Sequence, residues 1–277
     1  MDLNTVSAFA PAPDATWRDG DAWLGGGTWL FSVPQPGLTR LLDLQAFGWA
    51  PVTESADGVL IAATCTFAEL AAWRPDAGDY APAAALARQC CHALLGSFKV
   101  HNVATVGGNI CLSLPAGPMT SFASALDGVA LLSGPGPAGS GFGTRRVLVA
   151  DLVTGDNRNQ LRPGELLTHI WLPPRPLAAR TAFRQLSLSA VGRSAVLVIA
   201  RRDRAGDGNG GETVVSVTAS TPRPVCLRFA APPAPAEALA ALDAAGPGYL
   251  DDVHGSAPWR AAMTRRLVTE TLREIAG

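Results

Sequence analysis

An α+β chain folded as two domains is what this sequence leads one to expect, on three grounds. Beyond residue 180 four strand-like runs, "TAFRQLSLSA", "SAVLVIARRD", "ETVVSVTAST" and "PVCLRFA", follow one another across polar turns, and two helical stretches close the chain. Strands first and helices after make an antiparallel sheet with helices on one face. The first two-thirds instead mix short strands and short helices between Gly/Pro punctuation, with two glycine loops, "LGGGTWLF" and "TVGGN". A length of 277 residues is ample for two cores. The prolines at Pro173 to Pro176 set the border: residues 1–173 form the first domain, in subdomains of about 1–55 and 56–173, and residues 174–277 the second.

Each element has a local cause. Through residue 55 the chain offers only short apolar runs, Trp23-Leu24 and Leu41 to Leu44 among them, before a turn near Pro51. Val59 to Ala63 reads as a strand, and Thr66 then caps a short helix, "TFAELAAW", by offering its hydroxyl to a first-turn amide. "APAAALARQCCHALL" is helical in composition, with Pro82 near its start, where an amide has no intrahelical acceptor. "VHNVATVGGNICLSLPAGP" breaks all periodicity and reads as loop. "TSFASALDG" resumes as helix, followed by strands "VALLS" and "RRVLVADLV" around a Gly/Pro-rich loop at 134–143. "LRPGELLTHIWLPPRP" gives a turn, a strand and a proline stop. "PAEALAALDAAG" is a helix; the last one starts at cap Ser256, with Pro258 in its first turn and Trp259, Met263 and Leu267 on one face.

Composition excludes several function classes. A formal net charge of −1 supplies no field to draw nucleic acid or an anionic membrane. The five cysteines, Cys65, Cys90, Cys91, Cys111 and Cys226, show no CxxC and no spacing for a metal or iron–sulfur site. They fit small buried groups in a reducing compartment. His92, His169 and His254 lack spaced companions, so no metal ligand is expected. The N-terminal residues carry no secretion pattern, and no apolar run reaches about 18 residues, so a cytoplasmic protein is expected.

The glycine loops carry the chemistry. A glycine run after a strand can present successive backbone N–H groups in a concave nest suited to a phosphate or pyrophosphate. Gly25, Gly26 and Gly27 allow that close approach, and the Thr28 hydroxyl adds a donor. Read alone, the run fits a tight turn between buried strands equally well. The second loop, Thr105-Val106-Gly107-Gly108-Asn109, shifts the balance, since two nests can grip a diphosphate from opposite sides. Neither is a Walker A loop, because no GK[ST] follows. The literal GxGxxG at Gly134, Gly136 and Gly139 is set aside: its prolines remove donors and no helix follows.

Five segments, "LGGGTWL", "VLIAATCTFAEL", "HNVATVGGNICLSLPAGP", "LRPGELLTHIWLP" and "DDVHGSAPWRAAMTRRL", occur in the order seen in one family. Over essentially its whole length the chain resembles the FAD-binding (medium) subunit of molybdenum hydroxylases, the flavoprotein subunit of the xanthine dehydrogenase and carbon monoxide dehydrogenase family. The resemblance implies a two-subdomain FAD-binding fold of the vanillyl-alcohol-oxidase type, a small C-terminal α+β domain, and non-covalent FAD. It places Gly25, Gly26, Gly27, Thr28, Trp29 and Leu30 on one side of the pyrophosphate, and Thr105, Gly107, Gly108 and Asn109 on the other. Leu95 and Gly96 match positions near the flavin, Leu167 a backbone position at its ring, and Arg184 a basic residue beside it.

The resemblance further implies an oxidoreductase subunit with no catalytic side chain of its own. Electrons from a molybdenum cofactor in a large subunit would pass through [2Fe–2S] clusters in a small subunit to FAD, then to NAD, oxygen or a quinone. The substrate would be a purine-like or other N-heteroaromatic compound, an aldehyde or similar, or CO, and the assembly a heterotrimer or a dimer of heterotrimers. Two positions depart from the family: Trp29 follows the first-loop threonine, where an acidic or amide residue is common, and Pro118 stands where an aspartate usually contacts FAD. Two rival readings are a stand-alone FAD oxidoreductase of the same fold and a cofactor-free scaffold. Beside the second loop, His101 reads as an exposed loop residue, with an approach to the cofactor rim as the alternative, and His169 as solvent-facing, with a strand position toward the flavin as the alternative. Trp23, Trp49, Trp73 and Trp259 read as core, and Arg201, Arg202 and Arg204 as a solvated turn.

Overall fold

In the computed structural model, which describes residues 3–76, 78–135, 142–204 and 211–276, three short strands open the chain. β1 (Ala8–Pro11), β2 (Asp21–Leu24) and β3 (Arg40–Asp43) form a parallel sheet in the order β1-β3-β2. Asp21 and Arg40 are register partners on β2 and β3. The guanidinium donates to both carboxylate oxygens at 2.8 and 2.6 Å, the two-pronged geometry that makes such pairs strong.

β4 (Val52–Ser55) pairs with β5 (Gly58–Ala62), so the second sheet begins just before the expected subdomain border at 55. Thr66 then caps α1 (Phe67–Ala72) in a reciprocal box: its hydroxyl accepts from the Glu69 amide, and the Glu69 carboxylate accepts from the Thr66 amide. Such a cap is worth about 1 kcal/mol. α2 (Ala81–His92) carries Pro82 in its first turn and buries Leu86, Cys90 and Cys91 completely.

The expected loop at 100–118 is largely helical: α3 (Phe98–His101), α4 (Val106–Leu112) and α5 (Pro118–Ala125) succeed one another. The glycine pair misleads because Gly107 and Gly108 sit in the first turn of α4, where the Thr105 hydroxyl caps the Gly108 amide at 3.1 Å. α5 is buried at every residue.

β6 (Val129–Pro135) and β7 (Phe142–Leu148) pair antiparallel. "RRVLVADLV" is strand only to Leu148; it turns into α6 (Val149–Leu152) and the short pair β8 (Val153–Gly155) and β9 (Arg158–Asn159). β10 (Leu166–Leu172) completes a five-stranded antiparallel sheet in the order β4-β5-β10-β6-β7. Gly136 and Gly139 of the literal GxGxxG lie outside the described residues, as does 205–210 of the expected "RAGDGNGGE" turn.

After α7 (Pro174–Leu177), at the expected border, β11 (Arg180–Leu186), β12 (Val196–Arg202), β13 (Thr213–Thr218) and β14 (Val225–Phe229) form a meander. Helices α8 (Pro235–Ala245) and α9 (Ala257–Ala276) cover one face, with Leu242, Leu267 and Val268 packed on Val196, Val198 and Ala200. The opposite face is not solvated. Leu197 and Ile199 belong to the large core around α2, α5 and the five-stranded sheet, which is why β12 reads as a continuous apolar run and not as an alternation. Arg201 corrects the sequence reading too. It is fully buried at the end of β12, where it meets Asp127 at 2.7 Å, Asp203 at 2.8 Å and the Ala125 carbonyl at 2.8 Å. Its neutralised charge clamps the sheet to the end of α5.

Candidate cofactor-binding cleft

A cleft of about 560 Å³ opens between the 24–30 loop, the 93–95 segment, the α4–α5 region and the 193–194 segment. That volume lies within the usual range of small-molecule sites. Its first jaw follows β2. A Cβ at Gly26 would overlap the Val103 carbonyl, so only glycine lets this loop lie against the chain ahead of α4. Gly27 adopts φ 69, a left-handed conformation natural to glycine, and its carbonyl accepts the Phe31 amide at 2.8 Å. Among the described residues, the amides of Gly26, Gly27, Thr28, Trp29 and Leu30 donate to no protein acceptor. Five consecutive free donors beside a cleft are a concave anion cradle.

The second jaw is built differently. The amide of Val106 donates to the Cys65 carbonyl, Gly107 to Ala63, Gly108 to the Thr105 hydroxyl and Asn109 to the Thr105 carbonyl, at 2.8 to 3.1 Å. These donors are spent, so the expected second nest does not exist. Gly107 is there for packing: a Cβ would stand 2.5 Å from that of Ala63. What this jaw offers is side chains. The Asn109 carbonyl oxygen accepts from the Met119 amide at 3.0 Å, leaving its NH2 end without a protein acceptor among the described residues. That bond also caps α5, whose first residue, Pro118, has no amide to satisfy.

Residues 19–175 match the family described as FAD binding domain in molybdopterin dehydrogenase. The chain belongs to this family. Several solved structures share its fold over nearly the whole length. A reconstituted CO dehydrogenase from Oligotropha carboxidovorans superposes with a TM-score of 0.81 at 20% identity, covering 99% of both chains. Quinoline 2-oxidoreductase from Pseudomonas putida 86 gives 0.77 at 18% identity, covering 100% of this chain and 98% of the other. A carbon monoxide dehydrogenase from Hydrogenophaga pseudoflava, described as lacking the Mo-pyranopterin moiety of its molybdenum cofactor, gives 0.76 at 18%, covering 100% and 99%. No curated protein sequence matches.

FAD is therefore the cofactor of this fold, and the cleft suits it: an acceptor-rich diphosphate is what a run of free amides can hold. Of the residues expected at the cofactor, Gly25, Gly26, Gly27, Thr28, Trp29, Leu30, Leu95, Thr105, Gly108 and Asn109 line the cleft. Four do not. Gly96 lies just beyond Leu95 against Val100, and Gly107 lies beneath the wall on Ala63. Leu167 is buried on β10 in the main core. Arg184 is register partner to Val198, whose side chain faces the helices, so it points to α9 and pairs with Glu274 at 2.6 Å.

Three cleft residues escaped the sequence reading. Arg193 is the one charged residue among those lining the cleft, and it makes no ion pair among the described residues. The Ser194 hydroxyl and the Trp23 indole N–H are buried there without a partner. Buried polar groups are rarely left unpaired, so each invites a ligand atom. Arg193 and Ser194 sit in the β11–β12 loop, where no motif announces them; the "LGGGT" run next to Trp23 could have pointed to it.

Nearby histidines serve the walls. His101, on α3 and not in a loop, meets the Leu94 carbonyl at 3.2 Å and the Phe67 ring edge-on. His169 stacks at a tilt on Trp49, 5.0 Å between centroids, and partial burial lowers its pKa, so it is only in part open to solvent. Cys111 lines the cleft with its thiol pushed up to about 12 by burial. Among the described residues, no group of three or more His, Cys, Asp or Glu could hold a metal, and no helix is long and apolar enough to cross a membrane.

Proposed function

We propose that this chain is the electron-transferring FAD subunit of a heteromeric molybdenum hydroxylase in the cytoplasm. Its partners would be a large molybdenum-cofactor subunit and a small [2Fe–2S] subunit, in a heterotrimer or its dimer. When bound, FAD would supply the redox chemistry linking those clusters to NAD, oxygen or a quinone. The observation that carries the reading is the run of five unpaired amides at 26–30, on a loop that lines the same cleft as Thr105 and Asn109. The chain's own residues bind and orient. The free amides would take the diphosphate, the Asn109 NH2, Ser194 hydroxyl and Trp23 N–H would take further acceptors, and Arg193 would balance negative charge. With Pro118 replacing the family's aspartate, these groups take over its polar anchoring.

Among the described residues, no Asp, Glu or His lines the cleft. Proton handling during substrate oxidation would need such a group, so the lining favours an electron carrier over a stand-alone oxidoreductase. The substrate, N-heteroaromatic, aldehyde or similar, would then be oxidised in the partner. Purification of the full chain tests the proposal: it should carry stoichiometric flavin and co-purify with a molybdenum subunit when the two are co-expressed. A colourless protein that takes up no added FAD would favour the scaffold reading, and a flavoprotein that oxidises substrate alone would favour the stand-alone one.

A further inference from the structure

The "GSAPWR" segment marks the resemblance yet touches nothing in the cleft. Its arginine explains its presence. Arg260 is buried near the start of α9, with only 2% of its surface exposed. Its Nε donates to the Gly255 carbonyl at 3.0 Å, one Nη to both the Ala195 and Ala219 carbonyls at 2.7 Å, and the other Nη to Asp252 at 2.5 Å. Four of its five N–H groups are thereby used in one plane. The segment is arranged around this fork. Gly255, at φ 150, leaves room for the Trp259 ring, and the Ser256 carbonyl starts the helix by accepting the Arg260 amide.

The two carbonyls held by one nitrogen belong to different walls of the cleft. Ala195 directly follows Arg193 and Ser194, and its own amide closes their loop on the Leu186 carbonyl at 2.8 Å. Ala219 sits at φ 65, a costly conformation for a residue with a Cβ, and its amide donates to Pro115 at 2.9 Å. Pro115 lies between Leu114 and Ala116, both of which line the cleft.

We infer that Arg260 is a positioning residue for the FAD site: from outside the cleft it fixes the distance between the Arg193–Ser194 wall and the Leu114–Ala116 wall. The inference rests on the cleft being the FAD site. A lysine would keep the charge, but a single ammonium cannot reach Ala195, Ala219, Gly255 and Asp252 in their present places.

The test uses the full chain with Arg260→Lys and Arg260→Met, titrated with FAD by flavin-fluorescence quenching, with the visible circular dichroism of the bound flavin recorded alongside melting temperatures. Arg201→Met is the control, since Arg201 is equally buried and paired but bonds no cleft wall. We expect Arg260→Lys to melt below the unaltered chain but no lower than Arg201→Met, yet to bind FAD at least tenfold more weakly with an altered dichroism band, and Arg260→Met to do worse in both. Arg201→Met should lose melting temperature and keep FAD affinity. If Arg260→Met fails to fold, Arg260→Lys alone decides. Arg260→Lys binding FAD within twofold and with an unchanged band would overturn the inference while leaving the FAD reading intact. An unaltered chain that takes up no FAD would overturn that reading, and this inference with it.

Discussion

The two glycine loops look alike in sequence and act oppositely in the fold. In "LGGGTWLF" five amides in a row, those of 26–30, stay free on a loop that lines the cleft, and Gly26 lies against Val103. In "TVGGN" every amide from Val106 to Asn109 is consumed, two of them by Ala63 and Cys65 just before α1. There the glycines let a helix begin almost in contact with β5. A glycine pair thus signals close approach, but not what approaches; the fate of the N–H groups decides between ligand and neighbouring chain.

Substitutions sharpen this contrast. Gly26→Ala should do most damage, because its Cβ meets a backbone carbonyl and the jaws must part. FAD affinity should fall by roughly a hundredfold, about 3 kcal/mol, in a fluorescence titration. Retained affinity would mean the first jaw is not the cradle. Gly107→Ala should cost about 1–3 kcal/mol of stability in a denaturant melt, since Ala63 cannot retreat from a packed core. Its FAD affinity should change far less than that of Gly26→Ala, and an equal loss would erase the distinction between the loops.

Smaller effects follow at the rim. Arg193→Ala should weaken FAD roughly tenfold and flatten the salt dependence of binding, with the apoprotein melt unmoved. No change in either binding measure would remove Arg193 from the site. The smallest effect concerns the sheet that carries the first jaw. The Arg40 guanidinium beside Asp21 holds its carboxyl below the ordinary value of 3.8. The stabilisation is complete above that value and disappears as pH falls through the lower folded one. Asp21→Asn should therefore narrow the gap between melting temperatures at pH 7 and pH 3; an undiminished gap would assign the acid sensitivity elsewhere.

How much was legible depended on whether a signal was local. The Thr66 cap, Pro82 in the first turn of α2 and the four C-terminal strands each declare themselves within a few residues, and each is found. α4 was missed because its glycines suppress helix propensity while its stability comes from Thr105 and from contacts with Ala63. Arg201 looks solvated in the sequence because two of its three acidic partners, Asp127 and Glu212, lie on other segments. Gly25 to Leu30 stand together in one legible run and line the cleft as one loop, whereas Ser194 and Arg193 reach the cleft only by tertiary folding. Arg184 follows strand alternation onto the helical face, a register that residue type alone does not reveal.

The cysteines have a consequence of their own. Burial pushes the thiols of Cys65 and Cys90 far above the ordinary range, those of Cys91 and Cys111 to about 12, and that of Cys226 to about 11. At neutral pH the folded chain offers almost no thiolate to an alkylating reagent, despite its five sulfurs. Labelling therefore waits on opening, and because the sulfurs lie on four separate segments, Cys90 and Cys91 together on α2, the sequence in which those segments react records the order in which the molecule comes apart.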